Sequence, residues 1–342
     1  MTGLRGRKAI TSRAGDSSEG RQLLPDRELC PVARSEGCRA LPLRRMAIVG
    51  SIVFLLLIFA CAAPQPPDLW LGGDLFYGDR DPAALLEPLA PLVEGARGYV
   101  NLEGPADRSP GGGAASWTDA DGRVHLHNTV HGITPELGLL AVGVANNHRF
   151  DAADPDAADR ALIADGVAAL GASVVHLGAL RVAMVQVDLA PDLPPTFAAE
   201  AAKLRAQADA LVVAFHVRGV ASYLPSPALR TAVSAAEQAG AGVVVAHGTH
   251  AIGPVERRGG MVIAWGLGNV AMACDCTRET DAILLRVRFT PEGKVEHARV
   301  LPIRAGLQGA PAQPSTDPRG ILDLLTAIGS TPVESDGSGG SF

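Results

Sequence analysis

From residue 68 onward the chain is built of short, unbroken apolar runs separated by Gly, Pro and charged residues. Runs such as Val243-Val-Val-Ala246 and Leu211-Val-Val-Ala-Phe215 lack the alternation of a half-exposed sheet, so they read as strands covered on both faces. Such runs predict strands near 69–72, 98–102, 124–128, 140–145, 173–177, 181–187, 210–216, 242–247, 261–265, 282–289 and 295–301. Apolar residues at three- and four-residue spacing predict helices near 81–94, 155–170, 196–208 and 227–239. Asp154-Pro155 and Ser226-Pro227 pair a capping side chain with proline at the first helical position, and Gly171 and Gly240 read as stops. Strand and helix alternate at first, and consecutive strands follow. The fold class expected over 68–305 is α/β, bordering on α+β, with a layered mixed β-sheet sandwich flanked by helices.

Residues 105–122, with Pro110-Gly-Gly-Gly113, read as a flexible loop, and 306–342 as a mostly disordered tail holding a short helical piece at 321–328. The sequence shows no internal repeat.

Charge narrows the functional classes. Residues 1–45 hold 10 of the 30 basic and 5 of the 36 acidic residues, which leaves 20 against 31 in the remainder, a balance of −11. So acidic a body lacks the basic face of a nucleic-acid binder, and that class is excluded.

Residues 46–61 form an uncharged apolar stretch behind Arg44-Arg45, and a Pro-rich linker follows at 62–67. This is the layout of a secretory signal. The stretch ends Ile58-Phe-Ala-Cys61, which looks like a bacterial lipobox with Cys61 as the lipidated residue; the alternative is an uncleaved signal anchor. Either would tie the protein to a membrane of the cell envelope, facing the periplasm or the exterior. Ala62 after the cysteine favours outer-membrane sorting in a Gram-negative cell. Residues 1–45 are long for the basic region of a signal and read as a low-structure extension from a start placed too far upstream. Cys30 and Cys38 precede the signal. Cys274 and Cys276 are spaced poorly for a mutual disulfide and read as loop cysteines with no set role.

The chemistry gathers where the apolar runs stop. Asp74 ends the first strand, Glu103 the second and Asn147-His148 the third; His216 ends a later one, and His247 and His250 close the run from Val243. Ligands of open α/β sheets collect beyond the carboxyl ends of strands. Carboxylate, amide and imidazole together suit Mn, Fe or Zn. Each histidine alone would more often be structural; their shared placement makes the case. Arg149 and Arg218 follow two of these residues and could pair with an anionic substrate, or could be solvated loop charges. His125, His127 and His131 form a second cluster, read as a polar strand face rather than an accessory metal site.

These segments resemble the CapA family of bacterial capsule-synthesis proteins, associated with poly-γ-glutamate capsules and built on a calcineurin-like metallophosphoesterase fold. The resemblance runs in order through Gly73-Asp74, Val100-Asn-Leu-Glu103-Gly, Ala145-Asn-Asn-His148-x-x-Asp151, Val212-Val-Ala-Phe-His216, Ala246-His247-Gly-Thr-His250 with Val255-Glu256, and Gly266-Leu-Gly-Asn269. It implies that Asp74, Glu103, Asn147, His216, His247 and His250 surround one or two divalent ions. His148 would then be the general acid, with Asp151 orienting it. Gly266, Gly268 and Asn269 would shape a loop near the site.

The departures lie mainly among substrate-facing residues. Phe76 stands where the broader superfamily usually has a histidine. His216-Val-Arg-Gly-Val-Ala lacks the Trp and Glu of the family's usual His-Trp-Gly-x-Glu, and Ala246, Gly248, Thr249, Trp265 and Val270 replace common family choices. The expected function is an exported, membrane-anchored hydrolase that uses divalent metal in capsule, exopolysaccharide or poly-γ-glutamate biosynthesis. It would act on a phosphoester or on an amide of an anionic envelope polymer. The alternative is a non-enzymatic scaffold for polymer export or assembly that keeps the fold.

Overall fold

Every residue of the runs at 211–215 and 243–246 is buried, as expected of strands covered on both faces. The computed structural model describes residues 65–342 except 110, 131–132, 134–135, 165 and 191. Cys61, the signal segment and His131 lie outside the described residues. Among the described helices none is long and apolar enough to cross a membrane.

The strands are β1 (Leu69–Phe76), β2 (Arg97–Leu102), β3 (Ala106–Arg108), β4 (Ser116–Thr118), β5 (Val124–Leu126), β6 (Asn128–Thr129), β7 (Leu139–Gly143), β8 (Ala168–Leu170), β9 (Ala172–Leu177), β10 (Leu180–Asp188), β11 (Ala210–His216), β12 (Val243–His247), β13 (Val255–Arg258), β14 (Met261–Ala264), β15 (Asn269–Met272), β16 (Asp281–Phe289) and β17 (Val295–Arg304). The helices are α1 (Pro82–Leu86), α2 (Ala90–Val93), α3 (Pro155–Ala164), α4 (Phe197–Arg205), α5 (Pro227–Gln238) and α6 (Pro318–Ile328).

One sheet runs β17-β16-β1-β2-β7-β8, with β15 also paired to β1; the other runs β13-β14-β12-β11-β10-β9. Both are mixed: the first is parallel from β1 to β8 and antiparallel at β16 and β17, and the second has a parallel centre with antiparallel margins. Leu71 and Ile283 of the first sheet pack with Val212 and Val245 of the second in a shared core. The outer face of the first sheet buries Leu85, Leu89 and Leu162 from its helices; that of the second buries Phe197, Leu229 and Val233. The expected layered α/β sandwich is therefore observed.

Local chemistry explains the helices. Ser226 Oγ accepts from the Leu229 amide at 3.2 Å, and Pro227 fills the first helical position, so α5 starts where predicted. It buries Leu229, Ala232, Val233 and Ala236, and truncating Leu229 to Ala would cost about 2–5 kcal/mol. Gly240 ends it at φ +83°.

Five expectations are corrected. The helix expected over 81–94 is broken into short turns, because Pro88 and Pro91 cannot continue a helix. The helix expected over 155–170 stops at Ala164, and 168–170 pairs with β7 as a parallel strand, so Gly171 is no helix stop. The segment 105–122 is not a plain loop, since β4 pairs with β5 in a hairpin. The tail 306–342 is built into the fold. In α6, Ile321, Leu322 and Leu325 join the core, and Gly340 and Ser341 pair with β17. Cys274 and Cys276, whose Cα atoms lie 5.3 Å apart, are joined as a disulfide.

Candidate metal centre

Register brings the polar residues together. Asp74 on β1 lies beside Asn101 of β2 on one side and Asn269 of β15 on the other, while His216 ends β11 beside His247 at the end of β12. All are buried. Asp74 and Asn101 lie toward the carboxyl ends of parallel strands in one sheet and His216 and His247 at those of the other, while Asn269 opens β15. Among the described residues, one ligand atom each of Asp74, His216 and His247 lie within 4.8 Å of one another.

Hydrogen bonds fix this cluster. Asn101 Nδ2 donates to Asp74 Oδ1 and to Glu103 Oε1, both at 2.8 Å. Asn101 Oδ1 in turn accepts from Gln186 Nε2 at 2.7 Å and Asn146 Nδ2 at 3.1 Å. The Gly248 amide donates to Asp74 Oδ2 at 2.9 Å. That approach needs glycine: φ is +89°, and a Cβ would fall 2.6 Å from His216 Cε1.

His148 borders the cluster. Its Nε2 lies 3.6 Å from Glu103 Oε2, and its Nδ1 lies 2.8 Å from Asp151 Oδ2. Asp151 also accepts from Arg123 Nη2 at 2.6 Å and from the Leu126 amide at 2.9 Å. Burial would raise its carboxyl, but the bonds from His148 and Leu126 and the Arg123 charge hold it below the usual carboxylate range. An ionised Asp151 keeps a proton on His148 Nδ1 and turns Nε2 toward Glu103.

Burial splits the titrating groups. It pushes Glu103 up to about 7, reinforced by the charge of Asp74. It drives His247 down to about 4, and drives His216 well below its ordinary value with help from His247. Burial also opposes ionisation of Asp74, but its bond to His250 and the charges of His250, His247 and His216 hold it well below the carboxylate range. For His250, burial is outweighed by Asp74 and Glu103, and it rises to about 9.

These residues fit a divalent cation. His216 Nε2 lies 2.6 Å from Asn147 Oδ1, which only accepts, so the proton sits on Nε2 and the lone pair on Nδ1. That lone pair faces His247 Nδ1 at 3.2 Å and Glu103 Oε1 at 3.5 Å. Neutral imidazoles and buried carboxylates converging on one point are donor chemistry for a divalent metal ion.

Most of the remaining sequence candidates surround this centre, and Arg149 does not. Asn147 is engaged by His216. His250 adopts φ +59°, and its Nδ1 meets Asn269 Oδ1 at 2.8 Å and Asp74 Oδ2 at 3.2 Å, so that Nε2 is its ring nitrogen with no partner among the described residues. Asn269 Nδ2 donates to the carbonyls of His250 and Glu279. The Gly268 carbonyl accepts from the Asp74 amide at 3.1 Å, and a Cβ on Gly266 would fall 2.6 Å from the Ala251 carbonyl. Arg149 is not brought to the cluster: Asp159 and Asp156 hold it against α3, at 2.5 and 2.9 Å. Arg218 pairs with Asp188 and lines a cleft of about 490 Å³ with Asn147, His148, Phe150, Arg123 and Val124. Phe76 is buried against Leu126 and Met272. His125 and His127 pair with Asp119 and Asp107, as a polar strand face would.

Sequence reasoning missed Tyr99, Asn101, Asn146 and Gln186. Tyr99 OH lies 3.3 Å from His247 Nε2. The available signal was a polar residue inside an otherwise apolar run, as in Val100-Asn-Leu102 and Met184-Val-Gln-Val187.

Residues 179–273 match the family described as bacterial capsule synthesis protein PGA_cap. The matched segment carries His216, His247 and His250, and the resemblance to the capsule-synthesis family is borne out over it. Solved structures similar to this chain include one described as a novel phosphatase of Mycoplasma pneumoniae, at 14% identity and a TM-score of 0.45, covering 70% of this chain and 94% of that one. Another is a hypothetical protein from Thermus thermophilus, at 13% identity and a TM-score of 0.46, covering 69% and 99%. No curated protein matches the chain.

Proposed function

We propose that this protein is a capsule-synthesis protein of the CapA type, tied to the envelope membrane through Cys61, that hydrolyses an anionic envelope polymer with divalent metal. The observation that carries the reading is the convergence of Asp74, His216 and His247 beside a His148–Asp151 pair. Asp74, Glu103, His216 and His247 would hold the metal, with His250 presenting Nε2. One or two divalent ions there would supply Lewis acidity and a water of lowered pKa.

The chain's own residues do the rest. Asn101 spaces the two carboxylates with one amide. Asp151 fixes the His148 ring by holding its Nδ1 proton, so that Nε2, once it has taken up a second proton, can pass it to the leaving oxygen or nitrogen of a substrate in the cleft. The phosphoester or amide linkage would lie between His148 and the carboxylates.

The test is hydrolysis of phosphodiester and γ-glutamyl substrates by full-length protein supplied with Mn or Zn, with His148→Ala as control. Metal-dependent turnover that falls at least ~100-fold in the variant supports the reading. Bound metal without turnover on either substrate class would leave the assembly scaffold as the function.

A further inference from the structure

An exposed, immobilised tryptophan stands near the His148 cleft. Trp117 on β4 is 44% exposed, whereas Trp70 and Trp265 are buried. It stacks on His125, with ring centroids 5.1 Å apart and planes 10° apart, and on His127, at 4.9 Å and 19°. Each imidazole is itself pinned, His125 to Asp119 at 2.9 Å and His127 to Asp107 at 2.8 Å. The indole is thus held as a rigid plate at little entropic cost, with much of its surface still open to solvent. His125 Nδ1 lies 3.4 Å from Asp151 Oδ1, so the plate is joined to the His148–Asp151 pair through one imidazole.

The cleft beside it carries a second open aromatic, Phe150, which is 70% exposed. Two half-exposed guanidiniums line the same cleft. Arg218 uses Nε and Nη2 on Asp188, and Arg123 uses Nη2 on Asp151. Each keeps a further N–H edge for an anion while its partner carboxylate fixes its position.

Flat apolar faces next to fixed guanidiniums suit a ligand that carries both a ring and an acid group. A pyranose offers an apolar face of C–H bonds to an aromatic plate, and a uronate or phosphate on that ring meets the arginine. A flexible polyglutamate chain offers the charge but no ring face. We propose that Trp117, Phe150, Arg123 and Arg218 form a saccharide subsite for an acidic glycan whose scissile linkage reaches His148. This rests on the hydrolase reading above and names its substrate class.

The probe is oligogalacturonate, a uronic-acid oligosaccharide, titrated into full-length protein in the presence of a chelator, with affinity read by isothermal titration calorimetry in every variant and tryptophan emission followed in those that keep Trp117. Poly-γ-glutamate of matched charge is titrated in parallel. With the other two tryptophans buried, a change in emission reports Trp117. The expected result is oligogalacturonate binding with changed emission, weakened about tenfold in Trp117→Ala and in Phe150→Ala at unaltered circular dichroism. Absence of oligogalacturonate binding, or binding that Trp117→Ala leaves unchanged, overturns the subsite. Tighter binding of poly-γ-glutamate with unchanged emission does the same. The assay needs neither metal nor turnover, so saccharide binding by a protein that holds no metal sinks the hydrolase reading and upholds the subsite. Hydrolysis without saccharide binding does the reverse.

Discussion

His216 Nδ1 and His247 Nδ1 face one another across 3.2 Å in a pocket closed to solvent. Because His216 Nε2–H donates to Asn147 Oδ1, His247 must carry its own proton on Nδ1 and accept at Nε2 from Tyr99 OH, 3.3 Å away. Metal ligation by His247 Nδ1 reverses that arrangement: Nε2 then donates and Tyr99 accepts. Tyr99→Phe should therefore keep the fold and weaken metal affinity about tenfold or more, measured by competition with a chromogenic chelator.

Glu103 gives the metal-free protein a pH signature. Its carboxyl is raised to about 7 in the fold against 4.5 for the ordinary group. A raised carboxyl favours folding while it is protonated, so its contribution is full below about 4.5 and is lost as pH rises through about 7. Glu103→Gln should remove that loss. Chelated wild type and variant, melted at about pH 5 and about pH 8, should show the variant gaining relative to wild type at the higher pH.

Asp151 tests positioning apart from metal. Asp151→Asn keeps the side chain's size but gives up the charge that Arg123 and His148 share. Turnover should fall roughly 10- to 100-fold while metal content stays at the wild-type level, read by kinetics and elemental analysis on one preparation.

Gly248→Ala should be more damaging than its size suggests. The added Cβ meets His216 Cε1 at 2.6 Å and the Val217 carbonyl at 2.7 Å, at a φ of +89°. Backbone strain of about 1–3 kcal/mol, together with displacement of the amide that donates to Asp74, should lower both the melting temperature and the metal affinity.

Much of this was legible in the sequence, for a physical reason. Strands buried on both faces write themselves as unbroken apolar runs, and a polar residue at the end of such a run stands out, as Asp74, His216 and His247 do. The residues that hold those ligands did not stand out. Asn101 and Gln186 meet only because β2 of one sheet faces β10 of the other, an 85-residue separation that no local pattern encodes. Arg149 misled because adjacency to His148 in sequence says nothing of direction; the carboxylates of α3 took it instead. The tail misled because Pro and Gly dominate its composition, whereas three apolar residues of α6 suffice to dock it.

Whether Asp74, His216 and His247 hold metal is decided by elemental analysis of full-length protein purified without chelator. The expected result is one to two equivalents of Mn, Fe or Zn per chain, lost in His247→Ala. A wild-type protein that is metal-free, and whose melting temperature is unmoved by added Mn or Zn, would contradict it.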